Sequence, residues 1–176
     1  LKIITMEIKI GTKQILNLLN ILSWIIFIGL CIEAGGIIFN TVYALYKPVV
    51  AKYFWNGADL SALYTHDIGH FITQTILMSI VAVMKALIFY LIVILFYEKK
   101  FNIAKPFNPA LTDMVFKIAY LCLGAGLFSL WGSKYAAWIK GQGVQMPDIH
   151  NLRIDGADVW LFMAVVLIVI GQVFKK

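Results

Sequence analysis

The chain has 176 residues, of which 61% are hydrophobic and only 14% are charged. Soluble proteins contain roughly 25% charged residues and about 45–50% apolar residues. Because the mean hydropathy is +0.86 and the apolar residues lie in long blocks, the composition excludes an ordinary soluble domain. It predicts an all-α integral membrane protein.

The net charge of +6 does not indicate nucleic-acid binding, because the basic residues lie singly near the ends of apolar segments. The two cysteines, Cys31 and Cys122, both lie inside apolar segments. They do not form a Cys-x-x-Cys motif, so the sequence supports neither a disulfide framework nor a thiol redox site.

Four segments are long enough to cross a bilayer, which takes about 20 apolar residues. They cover residues 18–46, 71–97, 110–139 and 157–174. We therefore expect residues 1–176 to form a single transmembrane domain, folded as a four-helix bundle.

The distribution of basic residues predicts the orientation of this bundle. Eight lysines lie on the side that carries both termini, whereas five basic residues lie on the other side. The positive-inside rule therefore predicts a multi-pass membrane protein with cytoplasmic N and C termini. The eight lysines are Lys2, Lys9, Lys13, Lys99, Lys100, Lys105, Lys175 and Lys176.

Two loops carry helix-capping signals. In the first outer loop, Asp59 precedes Leu-Ser-Ala-Leu, so we expect it to cap a short helix whose apolar face contains Leu60, Leu63 and Tyr64. Such a helix is predicted to lie at the membrane interface. In the inner loop, Asn108 is expected to cap the third span, with Pro109 at the first helical position.

Four motifs occur in an order that resembles a known family. They are Gly29-Leu-Cys-Ile-Glu-Ala-Gly, Asp59-Leu-Ser-Ala-Leu, Lys105-Pro-Phe-Asn-Pro and the closing Phe162-Met-Ala with Gly171-Gln-Val-Phe-Lys-Lys. Together they are similar to Bacteroidetes-type members of the Domain of Unknown Function 2975 family. The resemblance implies a small four-span protein of the bacterial inner membrane, and it implies no activity and no catalytic residue.

Glu33 and Lys85 each lie near the middle of an apolar span. A lone charge at the bilayer centre costs about 2.5–3.5 kcal/mol on insertion scales, so each residue requires a polar partner or water. We predict an intramembrane ion pair between them that fixes the packing of the first two spans. A proton or ion relay is the functional alternative, and a Lys85 side chain reaching into a wet crevice is a third.

Small residues recur every seven positions in two spans, which permits close approach of helix backbones. We expect these residues to pack helices within one chain, with a homo-oligomer interface as the alternative. The residues are Gly29, Gly36, Ala119, Gly126 and Ser133.

Two histidines, His66 and His70, are spaced like ligands on one helical turn, with Asp67 beside the first. We interpret them as polar residues at the membrane interface rather than as a metal site. Asp113 and Lys117 are expected to support the start of the third span through an i, i+4 pair. Lys134 and Asp158 are candidates for a further pair near the outer interface.

No catalytic set, cofactor motif or phosphate loop is evident, so we do not expect an enzyme. The sequence favours a non-enzymatic accessory, regulatory or protective membrane protein that acts through protein–protein contacts. Its expected partners are the lipid bilayer and a membrane protein or a second copy, and not nucleic acid. The alternative is a small oligomeric channel or transporter that uses Glu33 and Lys85.

Overall fold

The computed structural model describes residues 11–97 and 109–175. Five α-helices follow one another: α1 (Thr12–Tyr46), α2 (Ser61–His66), α3 (Ile68–Tyr97), α4 (Pro109–Gly141) and α5 (Ala157–Phe174). Two short 3₁₀ helices, Pro48–Tyr53 and Trp55–Gly57, connect α1 to α2. The described residues contain no β-strand, as an all-α fold requires.

The four long helices confirm the predicted apolar spans. Each is long and apolar enough to cross a membrane. α4 and α5 begin within one residue of the predicted segments, whereas α3 begins three residues and α1 six residues earlier than predicted. Asn108, the predicted cap of α4, lies outside the described residues.

The long helices pack in chain order. α1 packs against α3, α3 against α4, and α4 against α5, while α1 and α5 do not pack against each other within the described part of the chain. Much of the surface of α1 is therefore not covered by another described helix. Only 6% of the residues in its most apolar stretch are buried inside the molecule.

The largest buried cluster lies at the end of the bundle that the predicted orientation makes the outer one, where α1, α3 and α4 meet the connecting segments 47–67 and 142–156, which we call the first and second outer segments. Phe54 and Leu60 from the first outer segment pack there with Phe71 of α3. Leu152 and Ile154 contribute from the second outer segment, and both are completely buried. A smaller buried cluster joins α3, α4 and α5 near Cys122. Among the described residues, this outer cluster is thus larger than the cluster near Cys122.

The lengths of α4 and α5 differ, and this difference shapes the outer side. With a rise of about 1.5 Å per residue, the 33 residues of α4 extend roughly 50 Å, whereas the 18 residues of α5 extend roughly 27 Å. Residues 142–156, which we call the returning segment, must therefore run back alongside α4 before α5 begins.

Candidate functional site

The returning segment is held against α4 by two serine hydroxyls. Ser129 and Ser133 both donate hydrogen bonds to the main-chain carbonyl of Ile154, at 3.2 Å for Ser133. Ser129 lies twelve residues before the end of α4, so the segment descends roughly 18 Å along the helix. In a bilayer, irregular backbone at such a depth would be tolerated only where protein or water satisfies its polar groups, and these hydroxyls satisfy the carbonyl of Ile154.

The descent places Arg153 beside α1. Its guanidinium Nη2 lies 2.6 Å from Oε2 of Glu33. The Glu33 side chain is 10% exposed and that of Arg153 is 33% exposed, so the pair is largely shielded. The contact joins α1 to the segment that precedes α5, and the described residues of α1 and α5 do not pack against each other.

Lys85 reaches the same residue from α3. Its Nζ donates a 2.9 Å hydrogen bond to the main-chain carbonyl of Arg153. Among the described residues, the ion pair of Glu33 is therefore with Arg153, which corrects the direct Glu33–Lys85 pair expected from the sequence. Arg153 thus links the two residues, because its guanidinium contacts Glu33 and its main-chain carbonyl accepts the hydrogen bond from Lys85.

The backbone of Arg153 has an unusual conformation. Its φ is +59°, in the left-handed region that side-chain-bearing residues seldom adopt. The main-chain N–H of Arg153 donates to the carbonyl of His150 at 3.0 Å, and that of Ile154 donates to Ile149 at 3.2 Å. This tight turn directs the guanidinium to Glu33 while it presents the adjacent carbonyl groups to α3 and α4.

A second polar contact lies at the rim of this arrangement. Nδ1 of His150 is 2.9 Å from Oδ2 of Asp155, with side-chain exposures of 73% and 41%. Together, Glu33, Lys85, Arg153 and Asp155 form what we call the charged cluster. Its formal charges balance, so it is better suited to joining helices than to attracting an ion of one sign.

The predicted small residues have different roles. Gly126 allows Leu161 of α5 to approach, since a Cβ there would lie 2.7 Å from Leu161 Cγ. Ala119 is completely buried, and Ser133 holds the returning segment. Gly36 accommodates the ring of Trp55 rather than another span. Gly29 has no heavy atom of the described residues within 4 Å of an added Cβ, so it does not pack against another helix in that part of the chain.

The first outer segment contains the expected short helix, but its cap lies one residue further along. α2 begins at Ser61 with Leu60 as its N-cap, and the carboxylate of Asp59 accepts hydrogen bonds from the Ser61 N–H at 2.9 Å and hydroxyl at 2.5 Å. Leu60 and Leu63 are completely buried. They anchor α2 to the bundle instead of facing an interface.

The hydrogen bonds at Asp59 predict an acid-sensitive turn. The Ser61 hydroxyl and N–H hold the pKa of Asp59 below its ordinary value. The stabilisation is therefore complete above a pH of about 4 and is lost as the pH falls through the lowered pKa. We expect amide protection of α2 to fall under acid in the wild type but not in Asp59→Asn, and Asp59→Ala to cost about 1 kcal/mol or less. Equal acid responses in wild type and Asp59→Asn would contradict this role.

The two predicted histidines lie at the junction of α2 and α3. The His66 and His70 rings stack with centroids 6.1 Å apart, and His70 Nδ1 lies 2.6 Å from the hydroxyl of Tyr135. Asp67 caps α3 by accepting the His70 N–H at 2.9 Å, which lowers the pKa of Asp67. The described residues contain no group of three potential metal ligands. The geometry thus joins α3 to α4 at their outer ends.

The two remaining predicted pairs differ. Asp113 and Lys117 form the expected i, i+4 ion pair at 2.6 Å, with both side chains more than half exposed. Lys134 and Asp158 do not form an ion pair, although the structure describes both residues. Exposed pairs contribute little, so neither result alters the fold.

A cleft separates the two outer segments. It has a volume of about 330 Å³. One wall contains the small residues Gly57, Ala58 and Ala62, and the other contains Gln145 and Asn151. One wall of the cleft therefore exposes side-chain amide groups. The small side chains of the other wall leave its main chain accessible to a bound partner.

Sequence reasoning did not identify Arg153 as a site residue. The signal available in the sequence was that Arg153 is the only arginine among 15 basic residues. Arginine is the residue that forms shielded ion pairs most readily, because its planar guanidinium is weakly hydrated and remains charged. Because Arg153 lies in a loop between two apolar spans, its sequence position did not indicate that the returning segment brings it into contact with Glu33.

Compared with known proteins, the chain matches no family model, no curated protein and no solved structure.

Proposed function

We propose that the protein is a non-enzymatic accessory, regulatory or protective protein of the bacterial inner membrane that acts through protein–protein contacts of its outer face. The cleft between the two outer segments carries this proposal. Both segments are anchored by completely buried side chains, Leu60 and Leu63 in one and Leu152 and Ile154 in the other. A surface held in this way binds a partner with little ordering cost.

The order of the four sequence motifs supports membership of the Domain of Unknown Function 2975 family as part of the same proposal. Such membership agrees with four apolar helices and adds no activity.

Partner binding through the cleft is tested by site-specific photo-crosslinking in native membranes. A crosslinker at Gln145 should capture one stoichiometric partner, and Ala62→Trp, which fills the cleft, should abolish its co-purification. Tyr97 lies at the other end of α3 and is 76% exposed. It provides the control position both for the crosslinker and for the substitution by tryptophan. Equal capture from both positions, or capture unaffected by Ala62→Trp, would refute the proposal.

The orientation is tested by cysteine labelling. In a variant without Cys31 and Cys122, cysteines at Asn102 and Gln142 should label from opposite sides of the membrane, because the basic residues favour cytoplasmic termini. A membrane-impermeant maleimide should reach position 142 in spheroplasts and position 102 only after lysis. Labelling of position 102 in intact spheroplasts contradicts this orientation.

The second candidate function is a small oligomeric channel or transporter. The observation that favours it is the presence of Glu33 and Lys85 together among apolar helices, since intramembrane charges often mark ion paths. Ion flux in proteoliposomes that disappears in a normally folded Lys85→Met variant supports this function over the first. Unchanged flux in that variant counts against it.

A further inference from the structure

The outer end of α1 and the 3₁₀ helix Pro48–Tyr53 expose a combination of aromatic, aliphatic and basic side chains. Tyr46 is 80% exposed, Val49 65% and Tyr53 70%. Lys47 and Lys52 are exposed beside them. We call these five residues the basic–aromatic edge.

The cations of this edge are positioned by aromatic rings. Lys47 Nζ lies 5.6 Å from the ring centroid of Tyr43, and Lys52 Nζ lies 5.9 Å from that of Tyr53. Cation–π contacts at these distances orient an ammonium group without neutralising its charge. Both lysines therefore remain able to bind an anion.

The edge is also rigidly attached to the bundle. Ala51 is completely buried beneath it, and its carbonyl accepts a 2.7 Å hydrogen bond from the N–H of Leu60. Phe54, which is 1% exposed, fixes the end of the 3₁₀ helix in the core. The exposed side chains of Val49 and Tyr53 thus cannot turn inward to be buried.

From this chemistry we infer that the basic–aromatic edge binds the headgroups of anionic phospholipids in the outer leaflet. The edge directly follows the apolar helix α1, so it reaches the headgroup layer when α1 crosses the bilayer. Tyrosine rings and Val49 would contact the upper acyl chains, and the two ammonium groups would contact lipid phosphates. The inference rests on the membrane location in the proposed function, but not on a protein partner.

The edge also differs from the interfacial helix that the sequence predicted. Leu60 and Leu63, the expected lipid-facing residues, are buried. The surface suited to the interface instead lies some ten residues earlier, where apolar side chains are exposed beside lysines.

The test measures binding of dansyl-labelled phosphatidylglycerol to the full chain in neutral detergent micelles, by energy transfer from tryptophan. Each lysine near an anionic surface contributes about fivefold in affinity, so the Lys47→Gln, Lys52→Gln double variant should bind roughly 25-fold more weakly. The matched control is Lys134→Gln with Lys140→Gln, which removes the same charge from α4 and should leave the affinity within about twofold.

Three results would overturn the inference: unchanged affinity in the double variant, an equal loss in the control, or displacement of the lipid by millimolar glycerol phosphate. The last would indicate a soluble phosphate ligand. Circular dichroism confirms that each variant is folded before its affinity is compared. Flotation with neutral phosphatidylcholine vesicles separately tests membrane insertion, so failure of the proposed location is distinguishable from failure of the lipid site.

Discussion

Arg153→Asn is expected to lower the free energy of unfolding by about 2 kcal/mol. The change leaves the Glu33 carboxylate, whose side chain is only 10% exposed, without its cationic partner. Removal of one member of a fully buried pair costs about 3–5 kcal/mol, and the partial exposure of Arg153 reduces that figure. Asparagine tolerates the positive φ at this position, so the loss reports on the charge contact rather than on the backbone.

A double-mutant cycle identifies the partner of Glu33. Combining Glu33→Gln with Arg153→Asn should recover more than half of the loss, because neither member of this ion pair is then left charged without the other. Combining Glu33→Gln with Lys85→Met should give a smaller coupling free energy than the Glu33–Arg153 combination, because Lys85 hydrogen-bonds to a main-chain carbonyl. Reversible unfolding in mixed micelles, followed by circular dichroism, measures each value.

The exposed pair Asp113–Lys117 provides the control for this cycle. Asp113→Asn should change the free energy of unfolding by less than about 0.5 kcal/mol. A larger coupling for Glu33 with Lys85 than for Glu33 with Arg153 would show that the two charges interact directly, as the sequence alone predicted.

Gly126→Ala is expected to destabilise the protein by about 1–2 kcal/mol. The new Cβ would lie 2.7 Å from Leu161 Cγ and 3.1 Å from the Leu161 backbone nitrogen, so α5 must move away from α4. Overpacking of this kind costs about 1–3 kcal/mol, of which the better helix propensity of alanine returns roughly 0.5–1 kcal/mol. The same unfolding measurement detects the change.

Gly29→Ala is the matched control in α1. An added Cβ meets no atom of the described residues within 4 Å, so the variant should be as stable as the wild type or slightly more stable. Destabilisation by Gly29→Ala instead would show that this position packs against another molecule. That result would favour the homo-oligomer alternative for the repeated small residues of α1.

The apolar spans were predictable because their signal is local. A helix that must satisfy its own backbone in lipid needs about 20 consecutive apolar residues, and any such run is visible in the sequence. The local turn at Asp59 was visible for the same reason, since a carboxylate there reaches the N–H of a residue two positions away. The exposed pair of Asp113 and Lys117 follows from helical spacing alone.

The partner of Glu33 was not predictable in this way. Glu33 and Arg153 are 120 residues apart, and no spacing rule relates them. Their contact depends on the short length of α5, which draws the returning segment inward, and on the hydroxyls of Ser129 and Ser133, which hold it there. The roles of Gly29 and Gly126 likewise depend on which helix faces lie together.

The sequence by itself thus determined the all-α class, the four apolar helices and the local turns, because backbone satisfaction and helical periodicity act over a few neighbouring residues. The tertiary structure alone decided that α1 stays open on the side facing α5, that the returning segment reaches Glu33, and that the basic–aromatic edge rather than Leu60 and Leu63 is exposed. These features arise from the relative lengths and packing of elements distant in the chain, which no local pattern records.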